Sequence, residues 1–304
     1  MQTLAIVTPA YNEAPNLGAL HARLVAALDH VGVDWHWIVV DDHSADETFA
    51  VVRDLAGRDR RVGGLRLSRN SGSHHAIACG LHHADADAVI VLASDLQDPP
   101  EVVAALLEAW RGGAQVVWAV RRLRAGEPPS ALAFSRLYYF IMRRMVGLRE
   151  LPATGSDFFL LDRRVVLAFR SFRERHTNVL ALLAWMGFRQ ETVEYDKQPR
   201  RGGRSGWTLR KKLKLAVDSV TAFSGAPLAA AGWLGALSLV AGVAAWAAVA
   251  LGANWPVVWS VPVMLTMGGV QLLTLGAAGA YLWRALDEVR GRPAWMIEDA
   301  VNLD

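Results

Sequence analysis

The sequence predicts an α/β domain built on a mostly parallel sheet, followed by a two-helix hairpin that spans a membrane. Three observations carry this. Short apolar runs alternate with amphipathic stretches of helical period through the first half of the chain, the pattern of strands joined by crossover helices. Residues 219–283 contain no Asp, Glu, Lys or Arg, although the part before them has a normal charged content. The 304 residues are 53% hydrophobic and only 20% charged, more apolar than an ordinary soluble chain.

The runs 4–7, 37–40, 62–67, 88–92 and 116–120 read as strands, and the stretches near 14–30, 45–58, 74–86 and 100–111 as the helices between them. A sheet of this kind is covered on both faces, and its ligand site gathers at the carboxyl ends of the strands. Those ends are polar. Thr8, Pro9, Tyr11, Asn12 and Glu13 close the first run; Asp41, Asp42, His43, Ser44 and Asp46 follow the second. Ser68, Arg69, Asn70, Ser71 and Gly72 follow the third, and Ser94, Asp95, Gln97 and Asp98 the fourth. Carboxylates at such ends suit a divalent cation, since Mg²⁺ takes one or two carboxylates together with phosphate oxygens and water. Helix capping is the competing account; it explains Ser44 and Asp98 more easily than Asp95.

Beyond the sheet, residues 130–146 mix Tyr138, Tyr139, Ile141 and Met142 with Arg136, Arg143 and Arg144. That composition fits an interfacial helix on a bilayer or a buried helix with a basic edge. Residues 198–206 read as a flexible basic loop and 207–222 as a basic amphipathic helix. The uncharged stretch is long enough for two spans of about 20 residues each. Asn254, Trp255 and Pro256 break it, giving helices near 226–252 and 257–283 with Trp233, Trp255, Trp259 and Trp283 near their ends. The connecting loop has no Lys or Arg while both outer flanks are basic, so both ends of the hairpin are expected on the cytoplasmic side. The expected organisation is a cytoplasmic domain over 1–206, a juxtamembrane helix over 207–225, the hairpin over 226–283 and a cytoplasmic tail over 284–304. A net charge of +3 is too small to argue for nucleic acid, and Cys79 stands alone, so no intrachain disulfide forms and a reducing compartment is expected. The amino terminus has no basic n-region, so no signal peptide is expected.

The strand-end motifs, taken in order, resemble the family 2 glycosyltransferases. They are most similar to the branch that includes dolichol-phosphate mannose synthase and bacterial polyprenyl-phosphate glycosyltransferases. The likeness runs from Thr8–Glu13 through Val40–Thr48, Leu67–Gly72 and Asp95–Glu101, then Gly155–Phe158, Arg200, Gly203 and Ser205, and ends at Tyr281–Arg284 and Asp287–Pro293. It implies the GT-A fold, a Rossmann-like nucleotide-sugar-binding domain. It implies that Pro9, Tyr11, Glu13, Asp41 and Asp42 cradle the base and ribose of the donor. Asp95 and Gln97 would face the diphosphate and the metal, Mg²⁺ or Mn²⁺, with Asp95 counted among the catalytic residues. Asp157 would lie under the sugar as the second catalytic group, and Arg121, Ser135, Arg200 and Ser205 would hold the acceptor phosphate. The implied reaction is inverting transfer of one sugar from a nucleotide sugar, a UDP-hexose for preference, to undecaprenyl phosphate at the cytoplasmic face of the inner membrane. It would supply lipid-linked sugar for the cell envelope, with homo-oligomerisation left open.

The sequence departs from the family pattern at Ala93, where an Asp-x-Asp motif has its first carboxylate, at Gly206, where a lysine is usual, and at Lys197, in place of an arginine. Two other readings stand beside the transferase. A processive polysaccharide synthase would carry a Gln-x-x-Arg-Trp motif, but Gly202 follows Arg201 here. A non-catalytic membrane scaffold would explain Ala93 and Gly206. The pairs His74-His75 and His82-His83 suggest a metal, but no acidic or cysteine cluster accompanies them, and a solvated helix surface explains them.

Overall fold

Runs rich in Val, Ile and Trp form the strands, because branched and aromatic side chains fill a pleated surface covered on both sides. In order these are β1 (Thr3–Ala10), β2 (Asp34–Asp41), β3 (Val62–Leu67), β4 (Ala88–Val91), β5 (Val116–Arg121), β6 (Phe159–Asp162), β7 (Gln190–Tyr195) and β8 (Ile297–Val301). The helices are α1 (Ala14–Leu28), α2 (Thr48–Arg58), α3 (Ser73–His83), α4 (Val103–Arg111, after a 3-10 turn at Pro100–Val102), α5 (Arg163–Ser171), α6 (Val179–Trp185), α7 (Ala226–Ala250) and α8 (Ser260–Val289). The structure, a computed structural model, describes residues 1–122, 156–172, 178–196, 225–252 and 260–303, with 140, 143, 152, 174 and 198 besides. The chain divides into two units, residues 1–209 with 293–304, and residues 210–292.

In the first unit the eight strands form one sheet in the order β7-β5-β6-β4-β1-β2-β3-β8. β4, β1, β2 and β3 run parallel, as expected from the alternation, while β6 is antiparallel to β4 and β5, and β8 is antiparallel to β3. β1 lies between β2 and β4, so the chain winds away from it in both directions. That reversal opens a crevice beyond the carboxyl ends of β1 and β4.

Helix α1 shows how the layers hold. Pro15 suits its first turn, and Leu17, Leu20, Leu24 and Leu28 fall on one stripe, fully buried against the sheet. Each contributes roughly 1.5–3 kcal/mol by leaving water. On the other face α3 lies so close to β1 that a Cβ on Gly80 would come within 2.2 Å of Val7 Cγ1. At the amino-terminal ends of β2 and β3, Arg61 lies over the Trp35 ring at 4.1 Å and bridges Asp29 and Asp59, each at 2.8 Å.

The carboxyl-terminal segment corrects the sequence reading. Residues 284–304 are not a tail: α8 continues to Val289, and Ile297–Val301 returns as β8 to the edge of the sheet. Asn302 then donates to the carbonyls of Ala56 and Val62, both at 3.0 Å. With exposed acidic Glu298 along it, β8 makes a charged edge of the kind that resists further pairing.

In the second unit α7 and α8 occupy the two expected segments and pack on one another. The expected break at Asn254, Trp255 and Pro256 lies outside the described residues, as does the juxtamembrane helix over 207–222. The expectation of two spans is not met among the described residues, where no helix is long and apolar enough to cross a membrane. Segment 130–146 falls almost wholly outside the description.

Candidate active site

The loops after β1 and β2 are stitched together by their own polar side chains. The Asn12 N–H donates to Ser44 Oγ (2.9 Å) and the Ala45 N–H returns to Asn12 Oδ1 (2.9 Å). The Glu13 N–H donates to Thr48 Oγ1 (2.9 Å), and the Ser94 hydroxyl donates to the Pro9 carbonyl (3.1 Å). Three strand ends are thereby fixed to one another across the crevice. Each also carries one non-glycine residue in the left-handed region, Asn12 (φ 57°), His43 (φ 58°) and Leu96 (φ 60°). Such backbone costs on the order of 1–3 kcal/mol per residue and persists where surrounding bonds over-determine it. Ser44, Ser94 and Asp98 thus make no helix caps; their polar atoms bond between strand ends instead.

The adjacent carboxylates Asp41 and Asp42 do different work. Asp41 is 0% exposed; it accepts the Ser44 N–H (2.9 Å) and pairs with Arg66 Nη1 (3.0 Å). Asp42 accepts the backbone N–H groups of Ser71 (2.7 Å) and Gly72 (2.8 Å), clasping the loop after β3. Gly72 has φ +95°, which suits glycine at that clasp. Burial raises the Asp42 carboxyl above its usual value, against the opposing pull of those two N–H groups. Of the other residues expected to line the donor, Tyr11 stands 48% exposed beyond β1, and the Glu13 carboxylate accepts from Asn16 Nδ2 (2.6 Å).

The turn after β4 presents Asp95 and Gln97. Asp95 Oδ1 accepts the Gln97 N–H (3.1 Å), and the Gln97 carbonyl accepts the Gln198 N–H (2.9 Å). Arg23 on α1 holds that junction from below, bonding Gln198 Oε1 (3.2 Å) and Glu101 Oε2 (2.8 Å). Half-buried Asp95, with an amide two residues on, fits a divalent cation as a partial ligand set that phosphate oxygens and water complete. It is no closed cage: among the described residues no group of three or more His, Cys, Asp or Glu side chains could hold a metal.

Asp98, Tyr195, Arg121 and Asp157 form a second polar centre. Tyr195 ends β7 and donates its hydroxyl to Asp98, which is 1% exposed. Arg121 ends β5, directly opposite Tyr195. Burial opposes the charge on the Arg121 guanidinium, but Tyr195, Asp98 and Asp157 together raise its pKa above the ordinary value. Asp157 follows Ser156, whose hydroxyl bonds the carbonyls of Ala119 and Phe158 and ties this segment to β5.

The structure therefore gathers Pro9, Asp41, Asp42, Asp95 and Gln97 at neighbouring strand ends, and brings Asp157 to Arg121. Ser135, Arg200 and Ser205 lie outside the described residues. The sequence reading missed Arg66, Asp98 and Tyr195. The acidic Asp98 in a strand-end cluster was a signal for one of them; Tyr195 closes a short alternating run, Gln190–Tyr195, that was not read as a strand. On α3, His75, His82 and His83 bond the carbonyls of Ser71, Ala78 and Cys79 through Nδ1, and burial lowers His74 to about 4. Those contacts explain three of the four rings without a metal.

Comparison with known proteins bears on this geometry. The family model "Glycosyl transferase family 2" matches residues 5–168. An uncharacterized glycosyltransferase of Synechocystis is 36% identical over 99% of this chain and 96% of its own length. Undecaprenyl-phosphate 4-deoxy-4-formamido-L-arabinose transferase of Edwardsiella ictaluri is 31% identical over 100% of this chain and 96% of that protein. The bactoprenol glucosyl transferase of Shigella flexneri is 29% identical, covering 97% of both chains. Among solved structures, glucosyl-3-phosphoglycerate synthase from Mycobacterium tuberculosis, in complex with Mn²⁺, UDP and glucosyl-3-phosphoglycerate, shares the fold. Its TM-score is 0.51 at 15% identity, over 73% of this chain and 80% of that one.

Proposed function

The chain belongs to glycosyl transferase family 2 and is a glycosyltransferase of GT-A fold, and we propose that it transfers one sugar from a nucleotide sugar, a UDP-hexose, to a polyprenyl phosphate. One observation carries the choice of a phosphate acceptor: the Gln198 N–H bond to the Gln97 carbonyl. It ties Gln198, which in sequence directly precedes the basic run with Arg200, Arg201 and Arg204, to the turn that carries Asp95, and a run of cations suits a phosphate-bearing acceptor. The relatives named for undecaprenyl phosphate and bactoprenol match over nearly their whole lengths, which supports a lipid acceptor, and the glucosyl transferase among them supports a hexose.

In the proposed reaction an oxygen of the acceptor phosphate attacks the anomeric carbon while the bond to the donor diphosphate breaks, with inversion. The acceptor is already ionised at neutral pH, so positioning and charge stabilisation carry the catalysis rather than a strong base. Asp42 and Asp41 shape the donor-side loops, and Pro9, Tyr11 and Glu13 complete the nucleoside side. Asp95 and Gln97 would hold Mg²⁺ or Mn²⁺, which when bound neutralises charge on the departing diphosphate. Arg121, with Arg200, Ser135 and Ser205, receives the acceptor phosphate, and Asp157 orients the sugar. Substrate binding strongly weakened in Asp157→Asn, with turnover of bound substrate intact, would sink that last role.

The proposal places α7 and α8 in the inner membrane with both flanks on the cytoplasmic side. Supporting this, residues 219–283 carry no charge, and Leu237, Val240, Leu272, Leu273 and Leu282 are exposed on the two helices, an apolar surface too large for water. Arg290 lies over the Trp283 ring at 5.5 Å, a pairing suited to the interface. The chain leaves the first unit after Leu209 and rejoins it at Pro293, a connectivity that favours an even number of crossings.

The test is transfer by detergent-solubilised protein with undecaprenyl phosphate, Mg²⁺ or Mn²⁺ and a panel of nucleotide sugars. A lipid bearing one sugar is expected. A polymer would favour a processive synthase, and no transfer from any donor by folded protein would favour a scaffold.

A further inference from the structure

We propose that Asp98 and Tyr195 are a positioning pair that aims the Arg121 guanidinium at the acceptor phosphate, an inference that rests on the lipid-phosphate reading above. The three residues come from three separate elements. Asp98 lies in the turn after β4, Arg121 is the last residue of β5 and Tyr195 the last of β7. β5 and β7 pair in parallel with Arg121 opposite Tyr195, and the Arg122 N–H donates to the Tyr195 carbonyl at 2.9 Å, so the register is held to the ends of both strands.

The Tyr195 ring is fixed as well, edge-on to Phe158 with centroids 5.8 Å apart and an interplanar angle of 80°. A phenol has one proton to donate, and Tyr195 gives it to Asp98. Toward the Arg121 guanidinium, its register neighbour on β5 and a charge that bears on it, the phenolic oxygen can then only accept. The guanidinium is a rigid planar fork, so fixing one arm sets the plane of the others.

The cost of this arrangement argues that direction matters. Asp98 is 1% exposed, and a buried carboxylate is expensive unless bonded and balanced by charge. An apolar side chain at 98 with Phe at 195 would keep the packing against Phe158 and avoid that cost. The hydroxyl and the carboxylate both bear on Arg121, whose acidic neighbours include Asp157. The pair therefore connects the turn that carries Asp95 and Gln97 to the cation on the acceptor side.

The experiment measures initial rates of the full-length chain in detergent, varying nucleotide sugar and undecaprenyl phosphate independently. Tyr195→Phe should raise the acceptor KM about tenfold while the donor KM stays within about twofold, the size of a lost bond to a charged group. In an Arg121→Lys background the same substitution should change kcat/KM for the acceptor by less than about twofold, because its route of action is gone. Asp98→Ala, which removes the acceptor of the Tyr195 hydroxyl, provides the same readout where Tyr195→Phe does not fold. Equal losses in both backgrounds, or donor and acceptor KM rising together, would overturn the positioning role. Wild-type protein that makes no lipid product would bring down the functional reading and this inference with it. Lipid product with an unchanged acceptor KM in Tyr195→Phe overturns the inference alone.

Discussion

Arg66 holds the loop after β2, and replacing it with methionine isolates what that hold contributes. Arg66 Nη1 pairs with Asp41 Oδ2 (3.0 Å), Nη2 donates to the Ser44 carbonyl (3.2 Å) and Nε reaches Glu298 Oε2 (3.2 Å). Methionine keeps much of the apolar stem and removes every donor. Asp41, 0% exposed, would then keep only the Ser44 N–H among the bonds described above. Removing one partner of a buried ion pair costs about 3–5 kcal/mol, since the remaining charge is buried without compensation. Arg66 is 24% exposed and Glu298 50% exposed, so water reaches one end of the network and the Glu298 contact adds less than about 1 kcal/mol. The lower end, about 3 kcal/mol, is the expected loss. For a domain of this size that lowers Tm by about 6–12 °C. The assay is thermal unfolding in detergent followed by circular dichroism, at more than one scan rate. Asp41→Asn combined with Arg66→Met should recover more than half of the loss, because the double variant buries no charge. A loss below about 1 kcal/mol, or a double variant no better than Arg66→Met, would refute the reasoning.

Asp95→Ala should lower transfer by roughly 10²–10³-fold with little change in Tm, as expected for a group acting on transition-state charge; a comparable fall in Tm would make the residue structural. Ala93→Asp should lower the Mn²⁺ concentration needed for half-maximal rate, and an unchanged metal titration would count against a cation at this turn. Gly80→Ala puts a methyl 2.2 Å from Val7 Cγ1 and 3.2 Å from Val40 Cγ2, so a loss of about 1–3 kcal/mol is expected in the same melt, and a neutral result would show that α3 can lift from β1. Arg61 beside Asp59, together with its backbone N–H and His21, holds the Asp59 carboxyl well below the usual range. A depressed carboxylate contributes stability that is complete above the unfolded value near about pH 4 and is lost as pH falls through the folded one. Asp59→Asn should therefore flatten the acid limb of the Tm profile, and a parallel shift at all pH values would contradict this.

The parts of the fold legible in the sequence are those whose pattern is local. β1 to β5 and α1 to α4 each carry their own apolar run or stripe, and they were read to within a few residues. β6 was missed because Phe159–Asp162 is only four residues long and runs straight into α5. β8 was missed because Glu298 and Asp299 in five residues look like a solvated tail, whereas charges of this kind are what an exposed edge strand carries. The same divide runs through the site. Strand-end position brought Asp41, Asp42, Asp95 and Gln97 into view among their polar neighbours, and the family resemblance gave them their expected roles. The division of labour between Asp41 and Asp42 was not legible, because it is set by Arg66 on β3 and by backbone N–H groups of Ser71 and Gly72. The Asp98–Tyr195 bond joins residues 97 positions apart, and no periodicity in either segment encodes a partner at that distance.

The return of the chain as β8 makes the segment beyond α8 part of the first unit rather than an appended tail. β8 supplies the last strand of the sheet, and Leu303 packs so tightly that a Cβ on Gly63 would lie 2.7 Å from Leu303 Cγ. Glu298 meets both Arg66 (3.2 Å) and His43 (3.5 Å), the residues on either side of the Asp41 loop. Asp299 pairs with Arg53 on α2, the helix that this same loop begins. A chain cut after the first pass through the sheet would therefore lose more than its attachment to α7 and α8. It would bare the backbone of β3 as an unpaired edge and release the acidic groups that hold Arg66 and Arg53 from outside. The loop after β2 is thus completed only once the segment beyond α8 has come back to the sheet.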